Sequence, residues 1–251
     1  MTLDRSAKDR RGGSAIQTST PDGLKAVVFD LDATLCAYPL SVMEVFAAAL
    51  DRTGIDPSIL GDLSAVEARY DALWDGTQQR LAATETIRLH IVEQLLAERD
   101  LHDPDLAVRL SDAYGVVRRE SGVRPFDGVL ELLRDLRPRY ALGLLTNGPS
   151  DMQWPKIESL GIAERFDAIV VAGDVGIYKP DRRVFEIMLD RLHVEPGAAI
   201  YTGDNYDVDI VGARAAGMRT AWVRANGTQP TAEVVPDIEV ADTAELREVL
   251  L

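Results

Sequence analysis

Short apolar runs that end in polar residues alternate with helical stretches over the second half of the chain, and one such run lies near the start. The five runs occupy residues 25–32, 140–147, 166–174, 198–204 and 220–225. Apolar runs that end in acids or amides are typical of buried parallel strands with polar residues at their carboxyl ends. The alternation predicts right-handed crossovers and a doubly wound parallel sheet, an α/β fold. A sixth short strand is predicted at 238–240.

Polar residues and glycine mark the ends of the predicted helices. Asp181 is predicted to cap a helix whose apolar positions have helical spacing. Ser150 and Gln153 have the spacing of a capping box, although Pro155 would then lie inside the helix. A further helix is predicted to stop at Gly217, a typical left-handed end position.

The segment 40–122 is rich in alanine, leucine, glutamate and arginine and contains no convincing strand. It therefore predicts several helices inserted between the first and second strands of the α/β fold. We predict three parts of the chain. They are a flexible polar tail at 1–23, an α/β core domain at 24–39 and 123–251, and a helical domain at 40–122.

Charge and composition argue against some classes of binding partner. The formal net charge is −14 and the sequence pI is about 4.6, which opposes nonspecific binding to nucleic acid or to anionic membranes. Cys36 is the only cysteine, so no disulfide can form within the chain, and we expect a small buried side chain there. No apolar run approaches the roughly 20 residues needed to cross a bilayer. We predict a cytoplasmic protein, either a monomer or a homodimer.

Polar side chains collect where the predicted strands end, at the edge of an open sheet where ligands bind. They are Asp30, Asp32, Thr146, Asn147, Lys179 and Asp204. Converging carboxylates repel one another unless a cation neutralises them, and magnesium accepts oxygen ligands while leaving room for water and phosphate. Asp30 and Asp32 would face one site only if the chain stays extended there. A turn would instead present the Asp32 carbonyl to the metal and free its side chain.

Two acids with separate tasks match covalent catalysis, in which one carboxylate attacks phosphorus and the other protonates the leaving oxygen and later activates water. Phosphoryl transfer otherwise needs positioning and charge neutralisation. Positioning and charge neutralisation could come from the Thr146 hydroxyl, the turn at Asn147 and Gly148, and the Lys179 ammonium.

The same residues form four motifs that resemble those of the haloacid dehalogenase superfamily. The sequence FDLDATL at 29–35 resembles its nucleophile motif, LLTNG at 144–148 its second and YKPD at 178–181 its lysine motif. The fourth is GDNYDVD at 203–209. The motifs occur in family order over residues 25–225, which makes a chance match improbable. The family often has glycine at the position of Ala33, a difference that matters only if the backbone there has a positive φ.

The resemblance implies a magnesium-dependent phosphohydrolase that acts on a small phosphorylated metabolite. It implies that Asp30 is the nucleophile of a phosphoaspartyl intermediate and that Asp32 is the general acid and base. The implied phosphate-binding residues are Thr146, Asn147 and Lys179. The implied magnesium ligands are Asp30, the Asp32 backbone, Asp204 and Asp209, with Asp209 either a direct ligand or a partner of one. The segment 40–122 would be the family's helical cap.

Other functions of this scaffold compete with that prediction. A dehalogenase of the superfamily needs no acid at the Asp32 position, and a phosphonatase would need a lysine in the cap, where this chain has none. A sugar phosphate mutase would keep all these residues and stays an alternative. So does a metabolite-binding protein without enzymatic activity.

Overall fold

The computed structural model describes residues 22–81, 83–224 and 234–251. Nearly all of the predicted tail, residues 1–21, lies outside these ranges. The described strands are β1 (Ala26–Phe29), β2 (Cys36–Ala37), β3 (Arg124–Pro125), β4 (Ala141–Thr146), β5 (Ala168–Val171), β6 (Ala199–Gly203), β7 (Arg219–Val223) and β8 (Ile238–Val240).

The described α-helices fall into two groups along the chain. Those between β2 and β3 are α1 (Val42–Thr53), α2 (Leu63–Thr77), α3 (Thr84–Ala97) and α4 (Pro104–Ser121). Those after β3 are α5 (Val129–Leu136), α6 (Ser150–Ser159), α7 (Ala172–Val175), α8 (Arg182–Leu192), α9 (Val211–Ala215) and α10 (Leu246–Leu250). A π-helical turn, Tyr206–Ile210, leads directly into α9.

The central sheet has six parallel strands in the order β5-β4-β1-β6-β7-β8. All six predicted strands are present, which confirms the doubly wound α/β fold. Both faces of the sheet are buried, as a parallel sheet flanked by helices requires. Val27 and Phe29 pack in one hydrophobic cluster with α5 and α10, whereas Ala26 and Val28 pack in another with α8. The strand order reverses at β1, so its carboxyl end is the expected place for a ligand.

Helices α1–α4 enclose a hydrophobic cluster of their own, as the composition of that segment predicts. Three aromatic rings lie at its centre. The Phe46 ring centroid lies 5.7 Å from that of Tyr70 and 4.7 Å from that of Tyr114. We call these four helices the helical insertion. Its role as a cap and the exact domain boundaries stay predictions.

The sequence did not predict the short antiparallel pair of β2 and β3, which lies where the chain enters and leaves the helical insertion. Each strand has only two residues and β3 contains Pro125, so neither shows the alternation or the β-branched run by which a strand is recognised.

The helix-capping predictions have mixed outcomes. The Asp181 side chain accepts a hydrogen bond from the Arg183 N–H, which confirms it as the cap of α8. The capping box of Ser150 and Gln153 is wrong. Helix α6 has Pro149 as its N-cap with no side-chain hydrogen bond, and the Gln153 side chain is turned into the interior, where only 1% of it is exposed.

A tight turn follows β1 and reverses the chain before β2. The Leu35 N–H donates to the Leu31 carbonyl over 2.9 Å, and the Ala33 N–H donates to the Cys36 carbonyl over 2.8 Å. Ala33 has a φ of 58°, in the left-handed region. Because this φ is positive, alanine in place of the family's usual glycine has a conformational cost at this position.

Ala33→Val is expected to lower the free energy of unfolding by about 1–2 kcal/mol, because a β-branched side chain is strained at a left-handed φ. Ala33→Gly should change it by less than about 1 kcal/mol, since relief of that strain is offset by the larger conformational entropy of the unfolded chain. Urea unfolding of the three proteins measures both. A valine variant as stable as the parent would show that the turn can adopt another conformation.

Candidate active site

Three neighbouring strands of the sheet bring the predicted site residues to one edge. Asp30 directly follows β1, Asp204 directly follows β6, and Thr146 is the last residue of β4. Because β1 lies between the other two strands, these side chains share the rim of one cavity of about 440 Å³. The strand order alone therefore places the first residues of the site.

Asp209 reaches the same cavity from the π-helical turn rather than from a strand. Its Oδ2 accepts the Asn205 N–H over 3.1 Å, and the Asn205 side chain in turn caps the turn by accepting the Val208 N–H. Gly203 leaves the space that Asp209 occupies, because a Cβ atom there would collide with the Asp209 carboxylate. This close approach requires glycine at position 203.

The Lys179 ammonium joins the carboxylates at the base of the cavity. Its Nζ lies 2.7 Å from Asp30 Oδ1 and 2.7 Å from Asp209 Oδ1, and only 2% of the side chain is exposed. The third proton of the ammonium reaches the Tyr201 hydroxyl over 2.8 Å, and that hydroxyl donates to the Leu145 carbonyl. A buried lysine is stable only when its donors are satisfied in this way.

Asn147 holds the main chain that carries Lys179. Its Nδ2–H donates to the Lys179 carbonyl over 3.1 Å, and its Oδ1 accepts the Lys179 N–H over 2.9 Å. The Asn147 side chain is thus engaged within the protein, so its predicted contact with phosphate would come from its main-chain N–H. The Thr146 hydroxyl lines the cavity and donates to the Asn147 carbonyl over 3.1 Å.

Burial and the short distances between the acids change their pKa values. Burial raises the pKa of Asp30 to about 8, and repulsion from Asp209 and Asp204 adds to this effect while Lys179 opposes it. Burial and Asp209 raise the pKa of Asp204 to about 6. One ammonium therefore does not neutralise the three carboxylates.

The acids are arranged as a divalent cation would need them. Ligand oxygens of Asp30, Asp204 and Asp209 all lie within 4.8 Å of one another. The donors are carboxylate oxygens, which hard divalent cations prefer. These three residues would hold such a cation, whose charge would favour their ionised forms.

The Asp32 side chain lies apart from the three clustered acids. Its two oxygens lie 2.8 and 2.9 Å from Lys156 Nζ, and its Oδ2 accepts the Gln153 Nε2–H over 3.0 Å. The turn at Ala33 replaces the extended chain that would have pointed Asp30 and Asp32 at the same point. Of the two geometries considered for these acids, the structure has the one that frees the Asp32 side chain.

Lys156 favours the ionised form of Asp32. Removal of water from around Asp32 opposes its charge, but attraction and hydrogen bonding to Lys156, with help from Gln153, lower its pKa overall. Only 6% of the Lys156 side chain is exposed, whereas 40% of the Asp32 side chain is exposed. The pKa of Asp32 thus moves in the opposite direction to that of Asp30, two residues away.

Sequence reasoning missed Lys156, Gln153 and Tyr201. Gln153 and Lys156 are three residues apart on α6 and share one helical face, a spacing that could have linked them. Gln153 was instead assigned to a cap. Tyr201 shows no sequence signal beyond its place in an apolar strand.

The helical insertion forms one wall of the cavity through residues of α2 and its C-cap. These are Asp71, Trp74, Asp75 and Gln78. A hydrogen-bonded contact also joins insertion and sheet domain, since Asp151 of α6 accepts the Thr84 N–H and hydroxyl at the start of α3. Tyr70 and Arg118 of the insertion are held in its own packing, the former among aromatic rings and the latter by Tyr114 and the Leu40 carbonyl.

Two further expectations concern the rest of the molecule. Cys36 is fully buried, as predicted for a small apolar side chain. No helix within the described residues combines the length and the apolar composition that a membrane crossing requires.

Comparison with known proteins shows the family. The model of the family described as haloacid dehalogenase-like hydrolase matches residues 24–217. The chain belongs to the haloacid dehalogenase-like hydrolases. The match spans both the α/β core and the helical insertion.

Two relatives and one solved structure each match about nine tenths of the chain. A phosphoserine phosphatase from Thermus thermophilus is 32% identical, covering 91% of this chain and 98% of that protein. A glyceraldehyde 3-phosphate phosphatase from Methanopyrus kandleri is 31% identical, with 90% and 97% covered. The crystal structure of a 2-haloacid dehalogenase from Pseudomonas syringae is 31% identical with a TM-score of 0.64, covering 90% of this chain and 98% of that chain.

The acid cluster predicts a pH-dependent response to magnesium. A carboxyl group whose pKa is raised by folding costs stability as the pH rises from its unfolded value, about 3.9, through its folded value, here about 6 for Asp204 and about 8 for Asp30. Magnesium would compete with these protons. The increase in Tm caused by a fixed magnesium concentration should therefore grow between pH 5 and pH 8.

Thermal unfolding with and without magnesium measures this increase, and Asp204→Asn should largely remove it. Asp190→Asn, on the exposed side of α8, is the matched control. A response independent of pH, or one that survives Asp204→Asn, would contradict binding at these acids.

Proposed function

We propose that this protein is a magnesium-dependent phosphohydrolase that cleaves a small phosphorylated metabolite through a phosphoaspartyl intermediate on Asp30. The observation that carries the proposal is the separation of the two acids of the first motif. Asp30 lies among the clustered carboxylates with Lys179, whereas Asp32 is turned away and paired with Lys156. A nucleophile and a proton-transfer group need these different surroundings.

A phosphate needs local positive charge and hydrogen-bond donors in a protein of net charge −14, and a lysine, nearby donors and a bound cation would supply them together. Lys179 would contact the nonbridging phosphate oxygens together with the Thr146 hydroxyl and the Asn147 main-chain N–H. A bound magnesium ion, held by Asp30, Asp204, Asp209 and the Asp32 carbonyl, would neutralise charge on the phosphoryl group. Asn147 would keep Lys179 in place through its backbone.

The first chemical step would transfer the phosphoryl group to the protein. An ionised Asp30 oxygen attacks phosphorus while the bond from phosphorus to the ester oxygen breaks. Asp32 acts here in its protonated form, which is the minor form in the free protein because Lys156 lowers its pKa. It gives the proton to that oxygen, and a neutral alcohol leaves. The product is a phosphoaspartyl group on Asp30 and an ionised Asp32.

The second step would restore the protein. The ionised Asp32 takes a proton from water, whose oxygen attacks phosphorus, and the bond from phosphorus to Asp30 breaks. Inorganic phosphate leaves, Asp30 is again a carboxylate and Asp32 is again protonated. The partly exposed position of Asp32 suits contact with both the alcohol and the water.

Two features separate this proposal from its alternatives. Dehalogenation has no need of a proton-transfer acid, whereas Asp32 is held in position by a buried lysine and a buried glutamine. A mutase would return the phosphoryl group to a bound sugar phosphate rather than to water, so it would release little inorganic phosphate. A binding protein would release none.

The direct test is phosphate release from an aryl phosphate, with magnesium and with a chelator. Asp30→Asn removes the attacking oxygen's charge and should reduce the rate by at least about 10³-fold, the effect of losing a covalent catalyst. Chelation should abolish activity, and magnesium should restore it. Asp190→Asn should behave as the parent. Activity that survives Asp30→Asn or chelation would refute the mechanism.

Lys156→Met tests the role given to Asp32. Without the ammonium, removal of water from around Asp32 is no longer offset, so its pKa rises. Because the second step needs ionised Asp32, the acid limb of the kcat profile should move to higher pH. Lys25→Met, at an exposed lysine before β1, should leave the profile unchanged. A profile unchanged in Lys156→Met would show that Asp32 does not limit the acid limb.

A further inference from the structure

A second cavity lies beside the proton-transfer group, between the helical insertion and α6. Its volume is about 480 Å³. Residues of α3, α4 and α6 line it together with the segment before α1, among them Tyr38, Arg88, Gly115, Arg118, Met152 and Lys156. Two of these connect it to the active site, since Met152 lines both cavities and Lys156 is paired with Asp32.

Arg88 is the unusual residue of this cavity. It is only 6% exposed and lies on α3 near Ile87 and Ile91, where the other buried positions are all apolar. Its Nε–H donates to the Ser111 hydroxyl over 3.2 Å. Among the residues that the structure describes, no carboxylate lies within ion-pair distance of it and its two terminal nitrogens have no acceptor. Arginine is rarely buried without a charged partner, because burying an unpaired charge is costly.

Helix α4 is shaped to receive this guanidinium group. Gly115 and Ser111 lie one turn apart on α4, opposite Arg88. A Cβ atom at Gly115 would lie 2.6–2.8 Å from the carbon and terminal nitrogens of the guanidinium. Glycine inside an exposed helix costs about 1 kcal/mol relative to alanine. Here it leaves space for the arginine tip.

Most other charged groups of the cavity are engaged within the protein, and Arg119, which also lines it, is an exposed residue. Arg118 donates to the Leu40 carbonyl and the Tyr114 hydroxyl, and Lys156 is paired with Asp32. Asp151 accepts from Thr84. Glu85 also lines the cavity but forms no ion pair with Arg88. Arg88 is therefore the buried cation of this cavity whose terminal nitrogens have no acceptor among the described residues.

We infer that this cavity receives a carboxylate carried by the leaving group of the substrate, with Arg88 as the specificity-determining residue. The inference rests on the proposed function, because the leaving alcohol of the substrate would reach from Asp32, past Met152, to Arg88. The two terminal nitrogens of a guanidinium match the two oxygens of a carboxylate. One buried cation without a charged partner matches one negative charge. The substrate class is then the phosphomonoester of a hydroxy acid.

The test compares phosphomonoesters that differ only in the distal carboxylate, at three chain lengths. The pairs are phosphoglycolate with ethylene glycol phosphate, 3-phosphoglycerate with glycerol 3-phosphate, and 6-phosphogluconate with sorbitol 6-phosphate. The readout is the ratio of kcat/KM for the acid to that for the alcohol. The parent protein should favour the acid in at least one pair by about tenfold or more, the range expected for a charged hydrogen bond.

Two variants change Arg88 by independent routes. Arg88→Met keeps the bulk of the side chain without the charge, and Gly115→Ala displaces the guanidinium tip while favouring the helix. Each should lower the acid-to-alcohol ratio about 10- to 100-fold. Arg88→Lys keeps a charge and should retain part of the preference. Arg109→Met, an exposed arginine of α4 outside the cavity, should leave the ratio unchanged.

The outcomes distinguish this inference from the proposed function. If the parent cleaves aryl phosphate but prefers the acid in no pair, the carboxylate site is refuted and the phosphohydrolase stands. If Arg88→Met and Gly115→Ala slow both members of each pair equally, Arg88 has only a structural role and the inference fails. If the parent releases phosphate from no ester at all, the proposed function itself fails.

Discussion

The structure depends on the repulsion among carboxylates that the sheet gathers at the end of β1. Asp30, Asp204 and Asp209 have oxygens within 4.8 Å of one another, and Lys179 supplies one positive charge among them. Such a cluster is costly in a buried place. Neighbouring residues accommodate the cluster. Gly203 makes room for Asp209, Tyr201 satisfies Lys179, and Asn147 fixes the backbone of Lys179.

A second constraint separates Asp32 from that cluster. The left-handed conformation at Ala33 turns the chain immediately after the first motif, so two acids that are neighbours on one strand end face different partners. Burial raises the pKa of Asp30, whereas Lys156 lowers that of Asp32. Opposite shifts on nearby carboxyl groups are the pattern by which acids with different catalytic tasks are recognised.

Periodicity and motif spacing were enough to predict the sheet and most of the side chains that meet at its edge. Parallel strands are marked by apolar runs, and their carboxyl ends had to meet at one edge, which brings Asp30, Thr146 and Asp204 together. The direction of the Asp32 side chain depends on a backbone angle at Ala33 that the residue type does not specify.

Packing between segments far apart in the sequence determines the features that the sequence did not predict. Lys156 and Arg88 look like ordinary helix residues, and only the contact of α6 with the first motif and of α3 with α4 makes them buried charges. The β2–β3 pair is too short to leave a periodic signal. These features arise from contacts between residues far apart in sequence, for which local patterns contain no information.

The central claim is that Asp30 attacks phosphorus, and the most direct measurement is chemical identification of the residue that carries the phosphoryl group. Acid quenching during turnover of a phosphomonoester, followed by borohydride reduction, converts an aspartyl phosphate to homoserine. Peptide mass spectrometry then locates the change. If Asp30 is the nucleophile, homoserine is found at position 30 and at no other aspartate. Modification of another residue, or none during sustained phosphate release, would contradict it.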